Sequence, residues 1–333
     1  MRELKQTIRF CKSSDGTRIA YATMGKGPPL VRTAHFFGHL EYDLRTPVWQ
    51  PWLAELSRHH TLVRYDLRGC GLSVRTTDDF SLEEWVADFE AVVDAAGLDR
   101  FAVFGPSQGA AIAIVYATRH PERVTRLVLY GVVARGIMKR DPTPAQVRQW
   151  QAMIDLVELG WGQENPAFRQ LWTSQLMPDA SAEQAHWFNE LERVCTTPEC
   201  AARVFKLIGQ LDATELLPRI RCPTVVLHVR GDARAPFEEG RHAAALIPGA
   251  RFVPLEGRNH VSLEHEPAFT QFFRELHEFL AAGEAPRGRQ AAFQDLTPRE
   301  RETLELVAHG LDNEIIAGRL GLSEKTDRNH ITA

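Results

Sequence analysis

Little in this sequence points to export, to a membrane or to a nucleic-acid surface. It lacks a run of about 18 apolar residues, the minimum for a membrane-spanning helix. The longest apolar stretch, Gly109 to Thr118, falls well short. The opening, MRELKQTIRF, is charged throughout and has no apolar core of the kind a secretory signal carries. Cysteine is scarce, with five residues at 11, 70, 195, 200 and 222. An odd count without an export signal argues against a disulfide framework and predicts free thiols in a reducing cytoplasm. Cys195 and Cys200 form a lone C-x4-C with no second pair or His cluster, short of the four ligands a structural zinc needs. No metal or cofactor is expected. An excess of one charge is also missing: 39 Lys and Arg face 43 Asp and Glu, a formal net charge of −4. The molecule as a whole therefore has no general attraction for nucleic acid or anionic lipid. Repeats and low-complexity tracts are absent.

The chain contains 333 residues, 44% hydrophobic and 25% charged, the make-up of a soluble globular protein with one large domain or two unequal ones. Short strand-like runs cover Thr7 to Cys11 and Arg18 to Thr23, around a Ser-Ser-Asp-Gly turn. Further strands are predicted at Pro29 to Thr33, Thr61 to Tyr65, Phe101 to Phe104, Val124 to Tyr130, Thr224 to Val229 and Arg251 to Leu255. Helices are predicted around Leu53 to Leu56, after a capping box at Ser81 and Glu84, from Ser107 to Arg119 and from Glu239 to Ala245. Strands alternating with helices predict a mostly parallel sheet covered on both faces. Between 134 and 217 the alternation stops, and the segment reads as a helical insertion holding Trp150, Trp161, Trp172 and Trp187. A Gly/Pro/charge-rich linker follows about Ala281, and a compact helical unit begins near Asp295.

Gly105-Pro106-Ser107-Gln108-Gly109 stands between the strand FAVF and the helix AAIAIVYATRH. In that context G-x-S-x-G reads as a nucleophile elbow: the turn lifts the serine above the sheet, and the helix N-terminus supplies N–H groups and positive potential for an oxyanion. Alone, Ser107 also fits a plain helix cap. A serine hydroxyl needs a base. Asp232 lies just past the strand TVVLHV, and His260 just past the last strand. Both occupy loops at strand C-terminal ends, where open α/β sheets place their ligands. Each taken singly also suits a turn aspartate or a surface histidine. Taken together with the elbow they point to Ser107, Asp232 and His260 as catalytic residues. His228, His242 and His265 are weaker candidates, because they fall within a strand, within a helix and beyond the loop.

These residues resemble the triad of the α/β-hydrolase family. Tyr65-Asp66-Leu67-Arg68-Gly69-Cys70-Gly71-Leu72-Ser73 resembles the D-x-R-G-x-G-x-S segment of that fold, read here as structural, with its glycines shaping a tight turn. The resemblance covers residues 1–282. It implies a sheet of about eight strands with a helical cap at 134–217. It also implies an oxyanion hole built from the N–H of Gln108 and a second donor in Thr33-Ala34-His35-Phe36-Phe37, best placed at Phe36. Where many relatives carry His-Gly followed by an apolar residue, this chain has Ala-His-Phe, and Pro106 before the serine is unusual. His35 fits either the pocket wall or plain packing. The cap tryptophans fit either an apolar substrate pocket or the cap's own core.

The last unit, after a linker at 283–294, spans 295–333. It opens with LTPRE and continues through GLDNEIIAGRLGLSEKT, and it resembles the LuxR-type helix-turn-helix. Thr297 and Pro298 suit a helix start. The resemblance makes 312–320 the scaffold helix and 323 onward the recognition helix. It implies that Arg328, Asn329 and Thr332 face bases while Lys325 and Thr326 face the backbone. Three features depart from that pattern. Asp327 stands where the family packs an apolar residue; the chain stops at Ala333 inside the recognition helix, as in a truncated unit; and residues 291–333 hold five Arg/Lys against eight Asp/Glu. Phosphate binding favours the opposite balance.

Two functions follow. One is a metal-free serine hydrolase, carboxylesterase-like, acting on a small ester, thioester or lactone. The other is a ligand-sensing LuxR-type regulator whose tail binds promoter DNA. The expected partners are a small acyl substrate or ligand, DNA through the tail, no membrane, and a second copy in a homodimer.

Overall fold

A computed structural model of the chain describes residues 4–35, 38–75 and 80–282. The chain divides into two units, Met1–Leu280 and Ala281–Ala333, and of the second only residues 281 and 282 are described. The linker, the expected helix-turn-helix and its contacts at Lys325, Thr326, Arg328, Asn329 and Thr332 fall outside them, as does Phe36.

Eight strands form one sheet: β1 (Gln6–Lys12), β2 (Arg18–Met24), β3 (Pro29–Arg32), β4 (Thr61–Tyr65), β5 (Phe101–Pro106), β6 (Val124–Tyr130), β7 (Thr224–Val229) and β8 (Arg251–Leu255). Their order is β1-β2-β4-β3-β5-β6-β7-β8. β2 runs antiparallel to β1 and β4, and every other pairing is parallel. The central strands β5 and β7 are buried along their whole length. They accordingly read as continuous apolar runs, whereas edge strand β1 mixes exposed and half-buried positions.

Helices cover both faces. α1 (Trp49–Leu56), α2 (Leu82–Ala95), α3 (Gly109–Arg119), α8 (Phe237–Leu246) and α9 (Pro267–Ala281) surround the sheet. Phe101 packs on Phe89 of α2 and Tyr116 of α3, while Phe104 packs on Trp52 of α1 and Phe272 of α9. Each such aromatic, fully buried, contributes about 1.5–3 kcal/mol. The predicted strands hold to within two residues. Two helical expectations need correction. α3 begins at Gly109 rather than Ser107, because Ser107 sits at φ 51, outside helical geometry. The capping box at α2 is half formed: the Ser81 side chain accepts from the Glu84 N–H, but the Glu84 carboxylate lies 3.0 Å from Arg68 Nη1 instead of reaching back. α9 replaces what read as an unassigned stretch before the linker.

Between β6 and β7 the chain leaves the sheet and forms the helical insertion: α4 (Pro144–Gly160), α5 (Pro166–Leu176), α6 (Ala182–Cys195) and α7 (Pro198–Gln210). Each opens on a side-chain cap, from Thr143, Asn165, Ser181 and Thr197. Among the described residues no helix is long and apolar enough to cross a membrane.

The Asp66–Ser73 segment is structural, as read. Gly69 and Gly71 take positive φ. Asp66 accepts from the N–H groups of Leu40 and Leu72, at 3.2 and 2.8 Å. Arg68, fully buried, grips Asp88 through Nε and Nη2 at 2.8 and 2.7 Å.

Candidate active site

The turn after β5 is shaped by how closely its neighbours approach. A Cβ on Gly105 would stand 2.8 Å from that of Ala113, and one on Gly109 2.4 Å from Thr33 Oγ1. The two glycines of the pentapeptide thus let α3 and the end of β3 close on β5. Ser107 is held between them at φ 51, its N–H donating to Tyr130 O at 2.8 Å and its carbonyl accepting from Val133 at 3.2 Å. A positive φ is costly for a residue with a side chain and persists where surrounding bonds impose it. Gln108 follows as the first residue of the helix entrance, with its side chain buried. Its Nε2 has no hydrogen-bond partner.

Asp232 and His260 sit in the loops after β7 and β8, and His260 Nδ1 lies 2.7 Å from Asp232 Oδ2. Asp232 Oδ1 accepts from the N–H groups of Arg234 and Ala235, both at 2.8 Å. Burial pulls the Asp232 carboxyl upward, but His260 and His228 outweigh it and hold the group well below the usual carboxylate range. The His260 loop is also tied to the insertion: Asp179 N–H donates to Asn259 Oδ1 at 3.0 Å, and Val261 N–H to Leu176 O at 3.2 Å.

Ser107 and His260 open onto one cavity of about 650 Å³, part of it open to solvent. Its walls are mostly apolar, with Trp52, Phe104, Leu176, Phe188 and Ile208 among them. His35 does both things its sequence allowed: it lines this cavity and stacks on Trp49 with ring centroids 4.7 Å apart. Burial, then the charges of Arg32 and Arg64, hold its imidazole well below the ordinary histidine range, so it is neutral at pH 7. Of the four insertion tryptophans only Trp172 lines the cavity. Trp150 and Trp161 pack with it around Phe205, and Trp187 meets Tyr42.

Two cavity residues, Arg32 and Arg234, were not foreseen from the sequence, and His228, a weaker candidate there, has a different place. His228 Nε2 lies 3.5 Å from Asp232 Oδ2 and 3.0 Å from Ala235 O, so it buttresses the carboxylate from inside β7. Its i, i+4 spacing to Asp232 was the available signal. Arg32 and Arg234 also line the cavity. A cation inside the otherwise apolar strand PLVR was the hint for the first.

Ser107 on its strained turn, His260 bonded to Asp232, and the entrance to α3 thus border one mostly apolar cavity. Residues 36–267 match the alpha/beta hydrolase fold family. The chain belongs to that family. Residues 294–333 match the bacterial regulatory proteins of the luxR family. Within the α/β-hydrolase family, the chain is 29% identical to a 2-hydroxy-6-oxo-2,4-heptadienoate hydrolase of Pseudomonas putida, over 70% of this chain and 83% of that protein. A hydrolase structure from Pseudomonas aeruginosa superimposes with a TM-score of 0.67 at 26% identity, over 82% of this chain and 98% of the other. An esterase from Exiguobacterium antarcticum shares the fold, with a TM-score of 0.70 at 22% identity over 82% of this chain and 98% of its own. The hydrolases among these relatives support hydrolase activity for this α/β-hydrolase unit.

Proposed function

We propose that the chain is a carboxylesterase-like serine hydrolase that cleaves a small ester or lactone through an acyl-enzyme. The observation that carries this reading is the 2.7 Å bond from His260 Nδ1 to Asp232 Oδ2 behind a cavity wall shared with Ser107. In this reading Ser107 Oγ attacks the acyl carbonyl and passes its proton to His260 Nε2, while Asp232 stabilises the imidazolium. The tetrahedral oxyanion is received by the backbone N–H of Gln108 and by a second donor at Phe36. His260 then protonates the departing alcohol. Water, deprotonated by the same imidazole, releases the acid and restores the serine. A hydrolase domain over 1–282, with its cap at 134–217, holds these parts; a linker at 283–294 leads to the helix-turn-helix segment at 295–333. The test is burst hydrolysis of p-nitrophenyl acetate or butyrate together with fluorophosphonate labelling. Wild-type protein should label and Ser107→Ala should not; equal labelling of the two overturns the reading.

The luxR-family match over 294–333 favours a second role, DNA binding through Lys325, Thr326, Arg328, Asn329 and Thr332. An electrophoretic mobility shift on promoter DNA at low and moderate salt tests it, and no shift at either salt removes it.

A further inference from the structure

Two arginines face the cavity beside Ser107, and neither has an acid of its own. Arg32 ends β3 and is 5% exposed, and Arg234 follows Asp232 in the loop after β7. Among the described residues neither guanidinium makes a hydrogen bond or an ion pair; what they touch is aromatic. Arg32 lies 5.0 Å from the ring centre of Trp49, and Arg234 lies 5.2 and 4.9 Å from those of Trp150 and Trp172. The carboxylates whose charge reaches them are engaged elsewhere. Asp43 accepts from Arg64 at 2.8 Å, Asp66 takes the Leu40 and Leu72 N–H groups, and Asp232 holds His260. No Asp or Glu is among the described residues that line the cavity. His35 Nε2 and Gln108 Nε2, on residues of the same wall, are buried without a hydrogen-bond partner.

A buried charge without a counter-ion destabilises a fold unless something answers it. Arginine does not escape by losing its proton: burial lowers Arg32 and Arg234 only to about 10. Indole faces orient a guanidinium and leave its N–H edge free. That edge fits a carboxylate in a planar, two-point contact. The apolar walls between suit a short hydrocarbon chain.

Resting on the serine-hydrolase reading, we propose that the substrate carries a second, free carboxylate, held by Arg32 while its ester carbonyl meets Ser107. The substrate class is then a half-ester of a dicarboxylic acid, or a lactone bearing a carboxylate. Hydrolysis adds one water across the acyl–oxygen bond: a half-ester gives a dicarboxylic acid and its free alcohol, and a lactone gives a single hydroxy-dicarboxylic acid.

The experiment compares p-nitrophenyl half-esters of succinate, glutarate and adipate with esters in which a methyl ketone replaces the free carboxylate. The half-ester of fitting length should be favoured by about ten-fold or more in kcat/KM, the worth of one charge-assisted contact. Arg32→Met should erase most of that ratio. Because an unpaired buried charge is removed, Arg32→Met should also raise the melting temperature, where a merely structural arginine would lower it. A wild-type ratio near one at all three lengths overturns the proposal, whatever the variants do. A second arm needs no turnover: calorimetry of glutarate, succinate and adipate against Ser107→Ala protein, with the matching diamides as neutral controls. Binding of a diacid but not its diamide, lost on adding Arg32→Met, supports the site even if fluorophosphonate fails to label Ser107; in that case only the hydrolase reading falls. Normal labelling with no diacid binding leaves the hydrolase standing and removes the carboxylate site.

Discussion

The ring of His260 rests on Gly131: a Cβ built there would stand 2.7 Å from His260 Cε1 and 3.1 Å from Nδ1. Gly131 also holds φ 55, directly after β6. Gly131→Ala should therefore push the imidazole away from the cavity while the sheet stays intact. A displacement of about 1 Å can cost on the order of 100-fold in rate. The expected outcome is that loss in kcat/KM on p-nitrophenyl butyrate with an unchanged far-UV circular dichroism spectrum. Full activity in Gly131→Ala would mean that the position of His260 does not matter to turnover.

Asp232→Asn keeps the shape of the loop but cannot balance a charged imidazole. A loss in kcat on the order of 10⁴-fold is expected. Steady-state kinetics with the same ester measures it. A loss below ten-fold would leave Asp232 with a structural role alone.

Asp66 makes stability depend on pH. Burial, the largest influence, lifts its carboxyl to about 7 in the folded chain. The unfolded value is about 3.9. The folded state therefore binds the proton more tightly, and this contribution is complete below about pH 4 and lost as pH rises through about 7. Asp66→Asn removes the titration. Relative to wild type, the variant should gain about 1–3 kcal/mol between pH 5 and pH 8 in urea unfolding. A constant difference across that range refutes the assignment.

Asp88 answers Arg68 in a fully buried, two-point ion pair. Breaking such a pair from one side costs about 3–5 kcal/mol. Asp88→Ala should lower the melting temperature by about 10 °C. Calorimetry decides, and a shift under about 3 °C would show that Asp15 and Glu84 carry the arginine without it.

Local pattern carried the strands, the elbow and the loops of Asp232 and His260, because alternation, glycines and strand ends are written in neighbouring residues. What lay between distant segments was not legible. The cluster of Arg32, His35 and Trp49 joins β3, the loop after it and α1, and nothing in PLVR says which ring will cover its arginine. His228 reads as one more residue of a buried strand until the loop after β7 folds Asp232 back over it. The Glu84 carboxylate abandoned its capping role for Arg68, a competitor 16 positions earlier in the chain. Of the second oxyanion donor and the helix-turn-helix, the described residues hold neither Phe36 nor any position after 282.

The order of the sheet sets a schedule. Residue 260 follows residue 107 by 153 positions, with the whole helical insertion in between. At about 5–20 residues per second, a ribosome makes Ser107 roughly 10–30 s before His260. On the proposed mechanism, a nascent chain stays inert until the loop after β8 is made, most of the way through its synthesis.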